Sequence, residues 1–312
     1  MAALGRPGYI TLGHADDLQR AYDPADMQAN TFRVLDAAWS AGVRYFDAAR
    51  SYGRGEEFLG DWLRERGIAP ADVVVGSKWG YIYTADWQVN APTHEIKEHS
   101  LPVLRQQWDE TQTNLGGYLR LYQIHSATLE SGVLNNVEVL TELARLKTNG
   151  TAIGLSLSGV GQGDTLRHAL DVAIDGVRLF DSVQATYNLL ERSLDRALQE
   201  AHDAGVSILV KEALANGRLT TRNAAADFMA LLTGESARLN VTVDALALAF
   251  VLSRPWAQKH TVVLSGAATT DQLVSNMGAL TVKWNFAADA ALELLAETAE
   301  VYWEKRKNLA WN

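Results

Sequence analysis

The feature of this 312-residue chain that most restricts its fold is a repeated alternation, in which a short apolar run gives way to a longer stretch of helical period. The apolar runs fall at 9–12, 44–47, 73–78, 119–125, 152–157, 182–187, 207–211 and 261–265. The helical stretches between them cover about 25–41, 56–66, 95–115, 137–149, 164–175, 193–204, 243–253 and 270–279. Runs such as Val73-Val74-Val75 and Ile208-Leu209-Val210 are continuously apolar instead of alternating, as parallel strands covered on both faces are. Eight such units without a linker midway predict an α/β chain forming one (β/α)8 TIM barrel over residues 1–312, with a helical extension from Ala287 onward. A doubly wound open sheet satisfies the same count. Gly42, Gly150 and Gly205 are expected to end helices in the left-handed conformation, and Asp164 and Asp244 to cap helix starts.

Composition narrows the function classes. Lys and Arg total 28 against 37 Asp and Glu, a formal charge of −9, which disfavours a nucleic-acid backbone or an anionic membrane as the main partner. With no cysteine, disulfides, thiol catalysis, thiolate zinc sites and iron–sulfur clusters are excluded. The longest apolar run, Ala245–Leu252, is far below the ~20 residues that span a bilayer. Met1-Ala2-Ala3-Leu4-Gly5-Arg6-Pro7 lacks the apolar stretch of a secretory signal, so a cytoplasmic protein is expected.

In a barrel of this kind the chemistry lies at the C-terminal ends of the strands. Asp47 ends the second predicted strand, Lys78 the third and His125 the fourth, and Tyr52 follows in the loop after Asp47. Each has an ordinary structural explanation by itself: a helix cap, a solvated charge, a hydrogen-bonded core histidine. Their coincidence on three successive strand ends carries more. A phenol with a pKa near ~10 is a weak acid at neutral pH. An adjacent ammonium lowers that pKa, a carboxylate holds the ammonium, and a neutral imidazole orients a substrate oxygen. The set supplies general acid–base catalysis with no nucleophile, metal cage or phosphate loop, so redox chemistry there requires a bound cofactor.

The stretch from Asp47 through Tyr52-Gly53 to Glu57 and Gly60 resembles the signature of the aldo-keto reductases. The resemblance extends through Lys78, His125, Ile153-Gly154-Leu155-Ser156, Val183-Gln184 to Asn188, and Val263 to Gly266 with Gln272 and Asn276. It implies a TIM barrel that transfers a hydride between NADP(H), with NAD(H) as the alternative, and an aldehyde or ketone. By position, Tyr52 would donate the proton, Lys78 and Asp47 would tune it, and His125 would orient the carbonyl. Ser156 and Gln184 would hold the nicotinamide carboxamide. Leu214, Gly217, Arg218, Gly266, Thr270, Gln272 and Asn276 would line the rest of the dinucleotide.

Four departures from that pattern stand out. Ala48 and Leu157 replace a common Thr and Asn. Lys211 occupies the place of an aromatic residue that stacks on nicotinamide, so it either lies beside the cofactor or substrate or pairs with Glu212. Gly266–Gln272 contains no Lys or Arg for a 2′-phosphate, which leaves Arg218 and Arg222 as the nearest candidates. The long connection after Lys78 carries Trp79, Tyr81, Tyr83 and Trp87, aromatics suited to an apolar substrate pocket or to anchoring the loop. The expected partner is a small carbonyl or alcohol compound, with no nucleic acid and no membrane; the oligomeric state is not legible. Oxidation of an aldose or alcohol at the same site is the second reading. A non-catalytic nucleotide-sensing subunit, like those attached to potassium channels, is the third.

Overall fold

The computed structural model describes residues 1–312. Seven parallel strands form one curled sheet: β1 Tyr45–Asp47, β2 Val74–Trp79, β3 Leu119–Ala127, β4 Ala152–Leu157, β5 Ser182–Thr186, β6 Ser207–Lys211 and β7 Thr261–Val263, in that spatial order. Every neighbouring pair is parallel, and helices fill the connections, as the continuous apolar runs required. Val75, Tyr122, Ile124, Ile153, Val183, Ala185, Ile208 and Val210 are buried in the principal core. No helix is long and apolar enough to cross a membrane.

The eighth expected strand, 9–12, does not form. Its backbone is occupied elsewhere: Tyr9 N–H donates to Asn312 O and Leu12 N–H to Asn216 O. The segment is bounded by Pro7, Gly8 and Gly13, and Gly13 is left-handed at φ 75°. The outer edges of β1 and β7 therefore do not pair with each other. The N-terminal segment crosses that seam, and the Met1 amine donates to the backbone oxygen of Asp47 at 2.8 Å.

Several helix boundaries differ from the sequence expectation, each for a local reason. The helix expected from residue 95 begins at Leu101, because Pro102 fits only a first turn; Glu95–Lys97 instead pairs antiparallel with Tyr81–Tyr83. The helix expected to reach 175 stops at Leu170. A hairpin of Ala173–Ile174 and Val177–Arg178 follows, turning on Asp175-Gly176, both at positive φ. Thr242, not Asp244, caps the helix Val243–Leu252 through Ala245 N–H. The helix containing Asp164 starts at Gln162, so Asp164 lies inside its first turn. The C-terminal extension is two helices, Phe286–Leu292 and Ala299–Lys307, and a helix over Met229–Leu239 was not anticipated.

Candidate active site

The loop after β1 is held from beneath by Glu56. Its buried carboxylate accepts from Arg50 Nη1 at 2.7 Å, Thr111 Oγ1 at 2.8 Å, Asn114 Nδ2 at 3.1 Å and Ser77 Oγ. This ties the start of helix Gly55–Glu65 to β2 and to helix Leu101–Leu115. Replacing Glu56 by Ala leaves the Ser77, Thr111 and Asn114 donors without their acceptor, while Arg50 keeps Glu110 at 2.8 Å, and we expect a loss of ~1–3 kcal/mol in urea-unfolding stability. On the other side the loop packs on Gly5: a Cβ there would lie 2.3 Å from the Tyr52 carbonyl oxygen, so no larger residue fits without displacing Tyr52.

Lys78 is fully buried at the end of β2, where its Nζ donates to Asp47 Oδ2 and, at 2.7 Å, to Ala48 O. The same carboxylate accepts from Tyr45 Oη at 3.1 Å, Gln184 Nε2 at 3.0 Å and Gln123 Nε2 at 3.4 Å. The Lys78 ammonium lies 4.9 Å from the centre of the Tyr52 ring. The ring of His125, from the end of β3, meets Tyr52 edge-on at 5.6 Å and Tyr81 at 4.9 Å. A break in the β3–β4 register between Ile124 and Ala127, with Ser126 at φ 52°, aims His125 at this point. Asp47, Tyr52, Lys78 and His125 thus come together from three consecutive segments.

Burial pushes the Tyr52 hydroxyl well above its usual range. The Asp47 charge adds to this, and Arg6 opposes it. The Lys78 ammonium, 4.9 Å from the ring centre, is held beside it by its pairing with Asp47. Tyr52 is accordingly protonated at neutral pH. Burial, followed by the charges of Lys78, Lys211 and Arg6, holds His125 well below the usual imidazole range, so the ring is neutral.

One cavity of about 750 Å³ runs past these groups. Asp47, Tyr52, Tyr81, His125, Gln184, Lys211, Leu214, Gly217, Gly266, Gln272 and Asn276 border it, together with residues of the open seam such as Phe46 and Val263. Ser156 lies behind the wall, its hydroxyl accepting from Ser126 N–H at 2.8 Å. Arg218 is tied to Glu297 away from the cavity, and Thr270 is not on its lining. Trp79 is buried against His99, Trp87 donates its indole N–H to Tyr22 O at 2.6 Å, and Tyr83 accepts from Trp87 N–H at 3.2 Å. Those three aromatics hold the loop, and only Tyr81 of the four faces the cavity.

The cavity suits a polar, elongated ligand. Asn216 Oδ1 and Asn276 Oδ1 are buried on its wall without hydrogen-bond partners. Gly217, at φ 86°, brings its backbone so close to Leu12 that a Cβ would lie 3.0 Å from that side chain. Gln272 Nε2 donates to Asp17 at 2.6 Å, and Asp17 also holds Arg222. The two orphaned amide oxygens are acceptors, which fits the hydroxyl groups of a dinucleotide's sugars.

Sequence reasoning singled out neither Arg6 and Tyr9 nor Glu95 and the Glu212–Arg306 pair, all at the cavity wall. Lys211 combines both of its expected placements: it borders the cavity, its Nζ donates to Thr186 Oγ1 at 2.7 Å, and Glu212 lies 3.9 Å away. Glu212 is itself bound by Arg306 at 2.8 Å. Burial alone would raise the Glu212 carboxyl, but Arg306 and Lys211 outweigh it and hold the group at about 2. Such a depressed carboxylate adds stability above its unfolded pKa, and loses it as pH falls toward about 2. The acid-range loss attributable to it is up to roughly 3 kcal/mol, and we expect Glu212→Gln to flatten that part of the stability–pH curve.

A model of the Aldo/keto reductase family matches residues 12–289. Among curated proteins, pyridoxal 4-dehydrogenase of Microbacterium luteolum is 27% identical over 252 residues, covering 70% of this chain and 71% of its own. NADH-specific methylglyoxal reductase of Escherichia coli is 24% identical over 304 residues, covering 88% and 89%. An aldo-keto reductase from Bacillus halodurans, solved in its holo form, superposes with a TM-score of 0.69 at 21% identity, covering 90% of this chain and 91% of that one. The likeness in fold is to a TIM barrel.

Proposed function

The chain belongs to the aldo/keto reductase family, and from that premise we propose that it reduces an aldehyde or ketone to the alcohol at Tyr52, with NADP(H) as its dinucleotide. At the coarser level it is an NAD(P)H-dependent oxidoreductase acting on small carbonyl or alcohol compounds. What supports the finer reading is one arrangement: a protonated phenol, the Asp47 carboxylate and a neutral imidazole share the wall of a cavity large enough for a cofactor and a small substrate, with Lys78 buried behind the wall and paired with Asp47.

When bound, the reduced dinucleotide supplies the hydride that the carbonyl carbon accepts. Tyr52 gives its proton to the carbonyl oxygen and is reprotonated from water. The Lys78 ammonium beside the ring stabilises the transient phenolate, and Asp47 fixes the ammonium. His125, uncharged, donates a hydrogen bond that orients the oxygen. Gln184 holds the carboxamide end, and Ser156 braces the Ser126 backbone behind it. Leu214, Gly217, Gly266, Gln272 and Asn276 cradle the remainder, and Arg218 braces that loop through Glu297. The whole chain acts as one barrel unit, in the cytoplasm.

One observation favours NAD(H) as the second reading. The two guanidinium groups nearest the adenosine end are already paired, Arg218 with Glu297 and Arg222 with Asp17. The Escherichia coli relative is NADH-specific. Fluorescence titration with NADPH and NADH, followed by a carbonyl panel with the tighter binder, tests the proposal. Saturable binding and aldehyde-dependent oxidation support it. Binding without turnover in either direction would favour a nucleotide sensor, and turnover with alcohols alone a dehydrogenase.

A further inference from the structure

Arg6 is the least explained charge in the molecule. Its side chain is only 3% exposed, yet it borders the cavity. The guanidinium is boxed by aromatic faces, with its carbon 5.3 Å from the Tyr9 ring, 5.5 Å from the Tyr52 ring and 4.7 Å from the Trp311 ring. Its hydrogen bonds all leave from Nη1, to Ser51 O at 2.9 Å and to Glu95 Oε2 at 3.0 Å. Nε is buried and has no partner. A buried donor left unmade is costly, and a planar guanidinium matches a carboxylate through two parallel N–H bonds.

A second cation borders the same cavity. Lys211 lies at the end of β6, and its nearest carboxylate, Glu212, is bound more closely by Arg306. The charges of both Arg6 and Lys211 bear on His125, whereas Lys78 is committed to Asp47. Two cations, Arg6 and Lys211, thus face the neutral imidazole from the cavity wall, each beside one carboxylate, Glu95 and Glu212, and Arg6 lies over the Tyr52 ring.

We propose that the carbonyl substrate is itself an acid: a short oxo or aldehyde compound bearing a carboxylate, which Arg6 receives beside Tyr52 with Lys211 as the second positive charge. This subsite rests on the carbonyl-reduction reading for its substrate, but not for its binding of the anion. It gives the enzyme its selectivity among carbonyl compounds, because an uncharged aldehyde leaves Arg6 Nε without an acceptor.

The test compares two pairs of aldehydes that differ by the carboxylate, succinate semialdehyde with butanal and 4-carboxybenzaldehyde with benzaldehyde. It uses the full chain, Arg6→Gln, Arg6→Lys and Lys211→Met. The acid of at least one pair should be preferred in kcat/KM by ~10²-fold. Arg6→Gln should lower that value ~10²-fold, mainly through KM, with a loss on the neutral partner at least tenfold smaller. Arg6→Lys should retain part of the preference, and Lys211→Met should weaken it less than Arg6→Gln. Equilibrium dialysis of succinate against the protein gives a readout independent of turnover: binding that Arg6→Gln weakens tenfold or more is expected.

Equal losses on acid and neutral aldehydes would overturn the proposal, leaving Arg6 as a group acting on Tyr52 alone. Wild-type protein with no preference for either acid would also overturn it. Arg6-dependent succinate binding without reduction of any aldehyde would support the anion site and reject the carbonyl-reduction reading instead.

Discussion

Tyr52→Phe is expected to lower kcat for carbonyl reduction ~10²–10⁴-fold, the range of a general-acid contribution. The substitution removes one oxygen from a ring that is otherwise held by packing. Lys78 lies 4.9 Å from its centre, His125 meets its edge and Gly5 supports its backbone, so the fold and dinucleotide binding should persist. The loss should appear in kcat and kcat/KM alike, because the proton is transferred only in the transition state. Steady-state kinetics beside a dinucleotide titration separates this result from a general loss of structure. An unchanged kcat would show that another group protonates the carbonyl.

Lys78→Met is expected to damage both stability and turnover. The ammonium is fully buried and faces a carboxylate that is only 9% exposed. Without it, Asp47 retains neutral donors from Tyr45, Gln184 and Gln123 but no countercharge. Removing one member of a buried ion pair costs ~3–5 kcal/mol, and kcat should fall by ~10²-fold or more as the phenolate loses its partner. Adding Asp47→Asn should restore most of the stability, since the unpaired charge is gone, while leaving turnover low. Urea unfolding and kinetics on the two single variants and the double variant check this. Recovery of turnover in the double variant would make the pair purely structural.

The strand ends were legible because short apolar stretches, Val73-Val74-Val75 and Leu121-Tyr122 with Ile124, mark the two strands, and an ionisable group, Lys78 or His125, follows each. Asp47 and Tyr52 were found the same way, with one loop between them. The first strand was misread because a run such as Tyr9-Ile10-Thr11-Leu12 carries no information about its partner. Here the backbone of that segment bonds to Asn312 and Asn216, contacts hundreds of positions away in sequence. Arg6 escaped notice for the same reason, since its place beside Tyr52 follows from how residues 1–13 cross the open seam.

Local signals were also passed over. Pro102 forbids a helix continuing from Glu95, and Asp175-Gly176 is a two-residue hairpin turn. The aromatics after Lys78 had no readable direction: Trp79 and Trp87 turn toward the protein, and Tyr81 toward the cavity. The pKa of Tyr52 could not be judged from residue types, because the charge nearest it is already paired and burial dominates.

Transfer of deuterium from the C4 position of reduced nicotinamide to a carbonyl carbon tests the central claim most directly. With C4-deuterated NADPH and NADH and a panel of acid and neutral aldehydes, mass spectrometry of the alcohol should find deuterium on the carbinol carbon with the wild-type chain. Tyr52→Phe should give little beyond the protein-free rate. Alcohol formed without the label, or no alcohol from any aldehyde with either dinucleotide, would contradict the account.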